Sequence, residues 1–210
     1  MVQFRNYVKK YNGNPEPVIV VPELTLGGGI YWLKGENGSG KTTLLRSIAG
    51  LIPFEGDIEV GGVNIRKERI HFRKIVNYAE AEPVYPDFLT GADLIDFYHS
   101  TKGGSRESMT ECIEILGIQK YMNNKVSSYS SGMAKKLSLA LAFIGNPRLI
   151  LLDEPLITLD TGAVQLMQTM INKYHGSGVV FLITSHQEFG RQASLDTYTL
   201  LLKDKTISFI

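Results

Sequence analysis

The sequence is poor in cysteine, in net charge and in long apolar runs. Cys112 is the only cysteine among the 210 residues, which excludes an internal disulfide and a CxxC metal pair. The 22 Lys and Arg nearly balance the 21 Asp and Glu, so no overall field attracts nucleic acid or an anionic membrane. No run of 18 apolar residues and no signal-like start occurs. We therefore expect a protein of a reducing cytoplasm that neither spans a membrane nor is exported, with no nucleic-acid partner.

The residues that are present are typical of one globular domain. Hydrophobic residues make up 43% of the chain and charged residues 20%, and this length can bury a sizeable core. Short β-branched or aromatic runs near the start predict strands, and residues 51–78 indicate a small antiparallel β region. Residues 90–145 are mostly helical in pattern. Beyond Pro147, buried-strand sequences at 149–152 and 179–184 flank a helical stretch, which predicts a parallel sheet.

A glycine-rich segment carries the clearest chemistry. Residues 35–42, GENGSGKT, match the phosphate-binding pattern GxxxxGK[ST] and lie between a predicted strand and a predicted helix, a context that disfavours an ordinary turn. The glycines let backbone N–H groups turn toward a phosphate, and the helix N-terminus adds partial positive charge. Lys41 can reach the β- and γ-phosphates, and Thr42 can ligate Mg²⁺. The candidate nucleotide-binding residues here are Gly35, Asn37, Gly38, Ser39, Gly40, Lys41, Thr42 and Thr43.

Two acids end the apolar strand at 149–152. Asp153 is expected at the sheet edge beside the phosphate loop, where it can bind Mg²⁺ directly or through water. Glu154 points elsewhere and is the candidate general base for the water that attacks a γ-phosphate. The alternative is a pair of acids that merely opens a loop before Pro155. The phosphate loop favours the functional interpretation.

The phosphate loop is followed later in the chain by a strand that ends in two acids. With these motifs in this order, the chain resembles, from end to end, an ATP-binding-cassette (ABC) ATPase subunit. The family's LSGGQ-like signature opens a helix, and residues 129–133, YSSGM, stand in its place with two of five letters matching. The resemblance implies that Ser130 and Gly132 contact the ATP of a second subunit, so that two nucleotides lie between two protomers. The alternative for Ser130 is a plain helix N-cap.

The resemblance also implies roles for three isolated residues. His186 matches the switch histidine that contacts the γ-phosphate, and its alternative is a surface histidine. Asp160 lies in a segment that matches the family's loop that crosses to the partner protomer. Tyr11 matches the aromatic residue that stacks on adenine, with simple packing as the alternative.

The family's glutamine loop is where the sequence departs from the pattern. Residues 80–82, Glu-Ala-Glu, occupy this region without a glutamine. We favour Glu82 as a ligand to Mg²⁺, which carboxylate oxygens bind well. Which of Glu80, Ala81 and Glu82 holds the family position stays open, and solvated loop acids are the alternative.

The fold implied is α/β: a P-loop NTPase core with a mainly parallel sheet, an N-terminal antiparallel β region and an inserted α-helical subdomain. We expect one domain over residues 1–210, with the core in about 1–82 and 147–210 and the helical subdomain in about 83–146. The resemblance implies that the apolar residues at 84–90 and 94–98 help to form a groove that receives a short helix of the transmembrane subunit. A buried lobe core explains them equally well, and exposure separates the two interpretations.

The function implied is the ATP-hydrolysing subunit of an ABC transporter, of exporter type, with ATP and Mg²⁺ as cofactors. ATP-driven dimerisation with a second ABC subunit, identical or related, would power a separate transmembrane permease. The permease would hold the chain at the inner face of the cell membrane. The alternative is a soluble cassette ATPase that acts on a macromolecular assembly.

Overall fold

The computed structural model describes residues 1–13, 15–157, 159–185 and 197–210, which form two sheets and six α-helices. The helices are α1 (Lys41–Ile48), α2 (Arg69–Ile75), α3 (Gly91–Lys102), α4 (Arg106–Ile115), α5 (Ser131–Phe143) and α6 (Thr161–Gly176). The strands are β1 (Val2–Lys9), β2 (Ile19–Leu26), β3 (Ile30–Lys34), β4 (Glu55–Val60), β5 (Val63–Asn64), β6 (Val76–Ala79), β7 (Leu149–Asp153), β8 (Val180–Thr184), β9 (Thr197–Lys203) and β10 (Thr206–Phe209). Within these ranges, no helix combines the length and the apolar character needed to cross a bilayer.

The smaller sheet is antiparallel and has the strand order β2-β1-β4-β5. The pairing of β1 with β4 shifts register between Arg5 and Val8, where Asn6 has a φ of 49°. Gly56 faces this bulge with a φ of 86°, and a Cβ there would lie 2.1 Å from the Asn6 carbonyl oxygen. Only glycine fits this close approach at the bulge.

The larger sheet has the order β10-β9-β3-β8-β7-β6. All neighbours pair in parallel except β10, which pairs antiparallel with β9. Every residue of β7 and β8 is buried, because helices or the smaller sheet cover both faces. The carboxyl ends of β3 and β7, which flank β8, lie at the same edge of the sheet.

Two apolar clusters hold the layers together. The first fills the space between the two sheets and takes in Leu44, Leu45 and Ile48 of α1. The second lies on the other face of the large sheet, where α5 brings a nearly continuous buried run from Leu137 to Ile144. Helix α1 is therefore fixed between the sheets, and α5 is fixed under β6 and β7.

The α/β class, the antiparallel region and the helices inserted between two core strands are as predicted. The interpretation of 51–78 was incomplete, since only β4 and β5 are antiparallel there. Helix α2 follows, and β6 then joins the parallel sheet. Helix α2 buries only Phe72 and Ile75, too few positions for its period to stand out in the sequence. The exact limits of the helical subdomain remain a prediction.

Candidate functional site

The phosphate loop connects β3 directly to α1, as the motif requires. Two of its glycines have left-handed backbones, Gly38 with a φ of 79° and Gly40 with a φ of 108°. A Cβ on Gly40 would lie 3.1 Å from side-chain atoms of both Val18 and Ile19. The tight path of the loop therefore depends on glycine at this position.

The loop offers hydrogen-bond donors that a phosphate could use. Helix α1 has no side-chain cap at Gly40 and no acidic residue in its first turn, so its positive end faces the loop unneutralised. The Lys41 ammonium folds back to donate to the carbonyls of Gly35 at 2.8 Å and Glu36 at 3.1 Å. Ser39 Oγ is buried and has no hydrogen-bond partner within the described residues. A bound phosphate would satisfy these groups, so the loop fits a nucleotide.

Tyr11 lies beside this loop. Its hydroxyl is 3.0 Å from Oγ1 of Thr43 in the first turn of α1. The Lys9 ammonium is 4.5 Å from the ring centroid, and Tyr11 is 46% exposed. The ring is thus held at the rim of the phosphate loop rather than packed in the core.

Asp153 ends β7 and is fully buried. Its Oδ1 accepts a 2.6 Å hydrogen bond from Thr184 Oγ1, and its Oδ2 accepts one of 3.1 Å from the Tyr78 hydroxyl. Burial, followed by the nearby charges of Asp153 and Glu80, raises the pKa of Tyr78, so this hydroxyl stays protonated as a donor. Three neighbouring strands thereby hold one carboxylate in a fixed orientation.

Glu154 follows with a strained backbone. Its φ of 45° lies in the left-handed region, where residues other than glycine are uncommon. The Glu154 N–H donates to the Thr184 carbonyl at 3.1 Å and to Thr184 Oγ1 at 3.0 Å. The chain therefore turns sharply at the point where a general base is expected.

Lys135 is a site residue that the sequence reasoning missed. It lies in α5, is only 2% exposed, and donates to the carbonyls of Asp153 at 2.7 Å, Glu80 at 2.8 Å and Ala81 at 3.3 Å. Burial lowers the pKa of Lys135 to about 8, partly offset by the charges of Asp153, Glu154 and Glu80. The sequence gives a signal for the burial but none for the hydrogen-bond partners, because the helical period places Lys135 on one face with Leu139 and Ala142.

In the region of the glutamine loop, the two acids face different surroundings. Glu80 Oε2 accepts a 3.2 Å hydrogen bond from the Arg46 guanidinium on α1. Glu82 is exposed, and within the described residues its carboxylate makes no hydrogen bond or ion pair. Glu80 is thus the acid held toward α1, and the ligand role suggested for Glu82 stays a prediction.

The signature-like segment and the crossing loop are joined to each other. Ser130 caps α5 by accepting from the Met133 N–H at 3.3 Å, and it is exposed, with Gly132 in the first turn. Asp160 caps α6 by accepting from the Ala163 N–H at 2.9 Å, and its other oxygen accepts from Lys136 of α5 at 3.1 Å. These bonds lower the pKa of Asp160. The start of α5 is therefore exposed at Ser130 and linked to the start of α6 through Lys136 and Asp160.

His186 lies outside the described residues. Elsewhere, no group of three or more His, Cys, Asp or Glu side chains is placed to hold a metal ion. Mg²⁺ in nucleotide sites commonly uses one or two protein ligands together with phosphates and water. Thr42, in the first turn of α1, and Asp153, at the same sheet edge, fit that pattern.

Comparison with known proteins agrees with this geometry. The family model described as ABC transporter matches residues 25–157. The bacitracin transport ATP-binding protein BcrA of Enterococcus faecalis is 31% identical over 89% of this chain and 61% of its own length. The cytochrome c biogenesis ATP-binding export protein CcmA of Reclinomonas americana is 29% identical over 87% of this chain and 82% of its own.

A solved structure has the same fold. The ATP-binding subunit of an ABC transporter matches with a TM-score of 0.88 and 20% identity, covering 100% of this chain and 90% of that one. The family match spans more than half of the chain and includes both the phosphate loop and the two acids at the end of β7. The chain therefore belongs to the ABC transporter family, as one of its ATPase cassettes.

Proposed function

We propose that this chain binds ATP at the phosphate loop and hydrolyses it with Glu154 as general base. The observation that carries the proposal is the shared sheet edge: β3 and β7 run parallel on either side of β8, so the loop and the two acids face one another. Chain segments more than 100 residues apart in sequence thereby bring hydrogen-bond donors for a phosphate and two carboxylates to one place.

The residues divide the work as follows. The loop N–H groups and Lys41 bind the phosphates, and Tyr11 stacks on the base. Thr42 and Asp153 would hold Mg²⁺, which neutralises phosphate charge when bound. Glu154 takes a proton from the attacking water while the water oxygen bonds to the γ-phosphorus. The bond between the γ-phosphorus and the bridging oxygen breaks, and ADP leaves. His186 would orient the water, and Glu82 would add a ligand to Mg²⁺.

A second cassette completes each site. The N-terminus of α5, with exposed Ser130 and with Gly132 in its first turn, would bind the γ-phosphate of ATP on the partner. Asp160 would contact the partner at the same interface. We take a copy of this chain as that partner. ATP then joins the two copies, and hydrolysis releases them.

A transmembrane permease is the proposed target of this motion. Val84 is 89% exposed, Phe88 73% and Phe97 61%, whereas Leu94 and Ile95 are buried. These exposed apolar side chains favour a docking surface over a lobe core. The permease would keep the chain at the inner face of the membrane.

Export is the proposed direction of transport. CcmA is named an export protein and BcrA a bacitracin transport protein, which supports an exporter more than a cassette for soluble assemblies. The cargo would lie in the permease.

The test uses the tagged Glu154→Gln variant, isolated from detergent-solubilised cells in ATP and Mg²⁺. Hydrolysis should fall at least ~100-fold while ATP binding is retained, because glutamine keeps the shape but cannot take the proton. A polytopic membrane protein should co-purify at near-stoichiometric yield. Normal turnover would refute the general base, and recovery of soluble assembly proteins alone would refute the transporter.

A further inference from the structure

Lys135 has an unusual environment for a charged residue. Its side chain is 2% exposed, yet the ammonium has only backbone carbonyls as hydrogen-bond partners in the described structure. Burying an ammonium is costly unless its three donors are satisfied, and here all three are. An apolar side chain of similar length would fill this space at lower cost. The position of the ammonium therefore calls for an explanation beyond packing.

The three carbonyls come from two different segments. Glu80 and Ala81 follow β6, and Asp153 ends β7. Lys135 itself belongs to α5, five residues after Ser130. One ammonium thus joins the helix that opens toward a partner protomer to both loops that border the carboxylates.

The Asp153 carbonyl is part of the peptide unit that sets the conformation of Glu154. Lys135 binds the C=O of this peptide at 2.7 Å, and Thr184 binds its N–H at 3.0 and 3.1 Å. Rotation of this peptide changes the φ of Glu154, which is 45°. Because that conformation is strained, it needs support from both sides to persist.

We propose that Lys135 is a positioning residue: by holding the peptide before Glu154 it orients the general base and ties that base to helix α5. The inference rests on the proposed function, in which Glu154 takes the proton. It adds a direct mechanical link, since a shift of α5 against a partner would move the carbonyl that Lys135 holds. Ser130 and Glu154 would then respond together.

The test is a double-mutant cycle in the full-length chain, with single-turnover hydrolysis of pre-bound ATP as the readout. Lys135→Met should slow hydrolysis at least ~10-fold and change ATP affinity less than ~2-fold, because the base is misplaced while the phosphate loop is intact. In the Glu154→Gln background, Lys135→Met should change the residual rate less than ~2-fold, since the base it positions is already gone. Lys120→Met, at an exposed site of the same predicted helical subdomain, should leave the hydrolysis rate unchanged in both backgrounds.

Equal fold losses in both backgrounds, or an unchanged rate for Lys135→Met, would overturn the inference. Thermal unfolding of each variant shows whether it is folded. If Lys135→Met fails to fold, Lys135→Leu, which likewise removes every N–H donor from this side chain, completes the same cycle under the same criterion. A Glu154→Gln variant with normal turnover would instead refute the proposed function, so the two failures are distinguishable.

Discussion

The phosphate loop and the carboxylate cluster at the end of β7 lie on one sheet edge but are built in opposite ways. The loop takes its donors from one run, residues 35–43. The cluster draws Asp153, Tyr78, Thr184 and Lys135 from three strands and a helix. A contiguous site can be changed one residue at a time, whereas a cluster held by shared hydrogen bonds responds as a unit.

The largest expected effect lies in the contiguous site. Lys41→Ala should weaken ATP binding at least ~100-fold, because it removes the only lysine of the loop while leaving the β7 cluster intact. Equilibrium binding of a fluorescent ATP analogue measures this. Lys67→Ala, at an exposed lysine away from the loop, should bind normally. Equal affinities of the two variants would contradict the role given to Lys41.

A second comparison separates the signature helix from an ordinary capped helix. Ser130 caps α5 and Ser105 caps α4 in the same way, each accepting from the N–H three residues on. Ser130→Ala and Ser105→Ala should each cost about 1 kcal/mol of unfolding free energy, measured in urea. Only Ser130→Ala should also weaken ATP-driven dimerisation, by ~10-fold. A loss of dimer in both variants, or in neither, would reduce Ser130 to a cap.

The two acids of the glutamine-loop region offer a matched pair. If Glu82 is the Mg²⁺ ligand, Glu82→Ala should raise the Mg²⁺ concentration for half-maximal hydrolysis by about 5-fold, since one carboxylate is lost. Glu80→Ala should break the pair with Arg46 and leave that concentration less changed. The reverse order in a Mg²⁺ titration would transfer the role to Glu80.

The smallest expected effect tests the cluster itself. Tyr78→Phe removes one of two hydroxyl donors to Asp153 and should cost about 1 kcal/mol of unfolding free energy. Tyr198→Phe, at a 41% exposed tyrosine, should cost less than ~0.5 kcal/mol. Urea denaturation of both variants decides. A larger loss in Tyr198→Phe would contradict the cluster as a stabilising unit.

The same contrast explains what the sequence could predict. The strand, glycine loop and helix at 30–48 are adjacent in sequence, so their motif predicted both fold and chemistry. The parallel strand that ends in Asp153 was predicted from its apolar run. These features depend on local pattern, which a single sequence displays directly.

Contacts between elements distant in sequence could not be predicted from local pattern. Lys135 and the Asp153 carbonyl are 18 residues apart, and Tyr78 and Asp153 are 75 apart. Neither Lys135 nor Tyr78 belongs to a recognisable motif, and only the packing of α5 under β6 and β7 brings these groups to Asp153. The departure from glutamine at 80–82 was visible in the sequence, but the pairing of Glu80 with Arg46 was not.

The central claim is that each ATP site is completed by α5 of a second copy. Its most direct test mixes two inactive variants. Lys41→Ala has an intact α5 and a defective loop, and Ser130→Arg has an intact loop and a blocked α5. Mixed dimers hold one site in which both parts are intact, so we predict that the mixture hydrolyses ATP well above the rate of either variant alone. A mixture no faster than its components would contradict the claim.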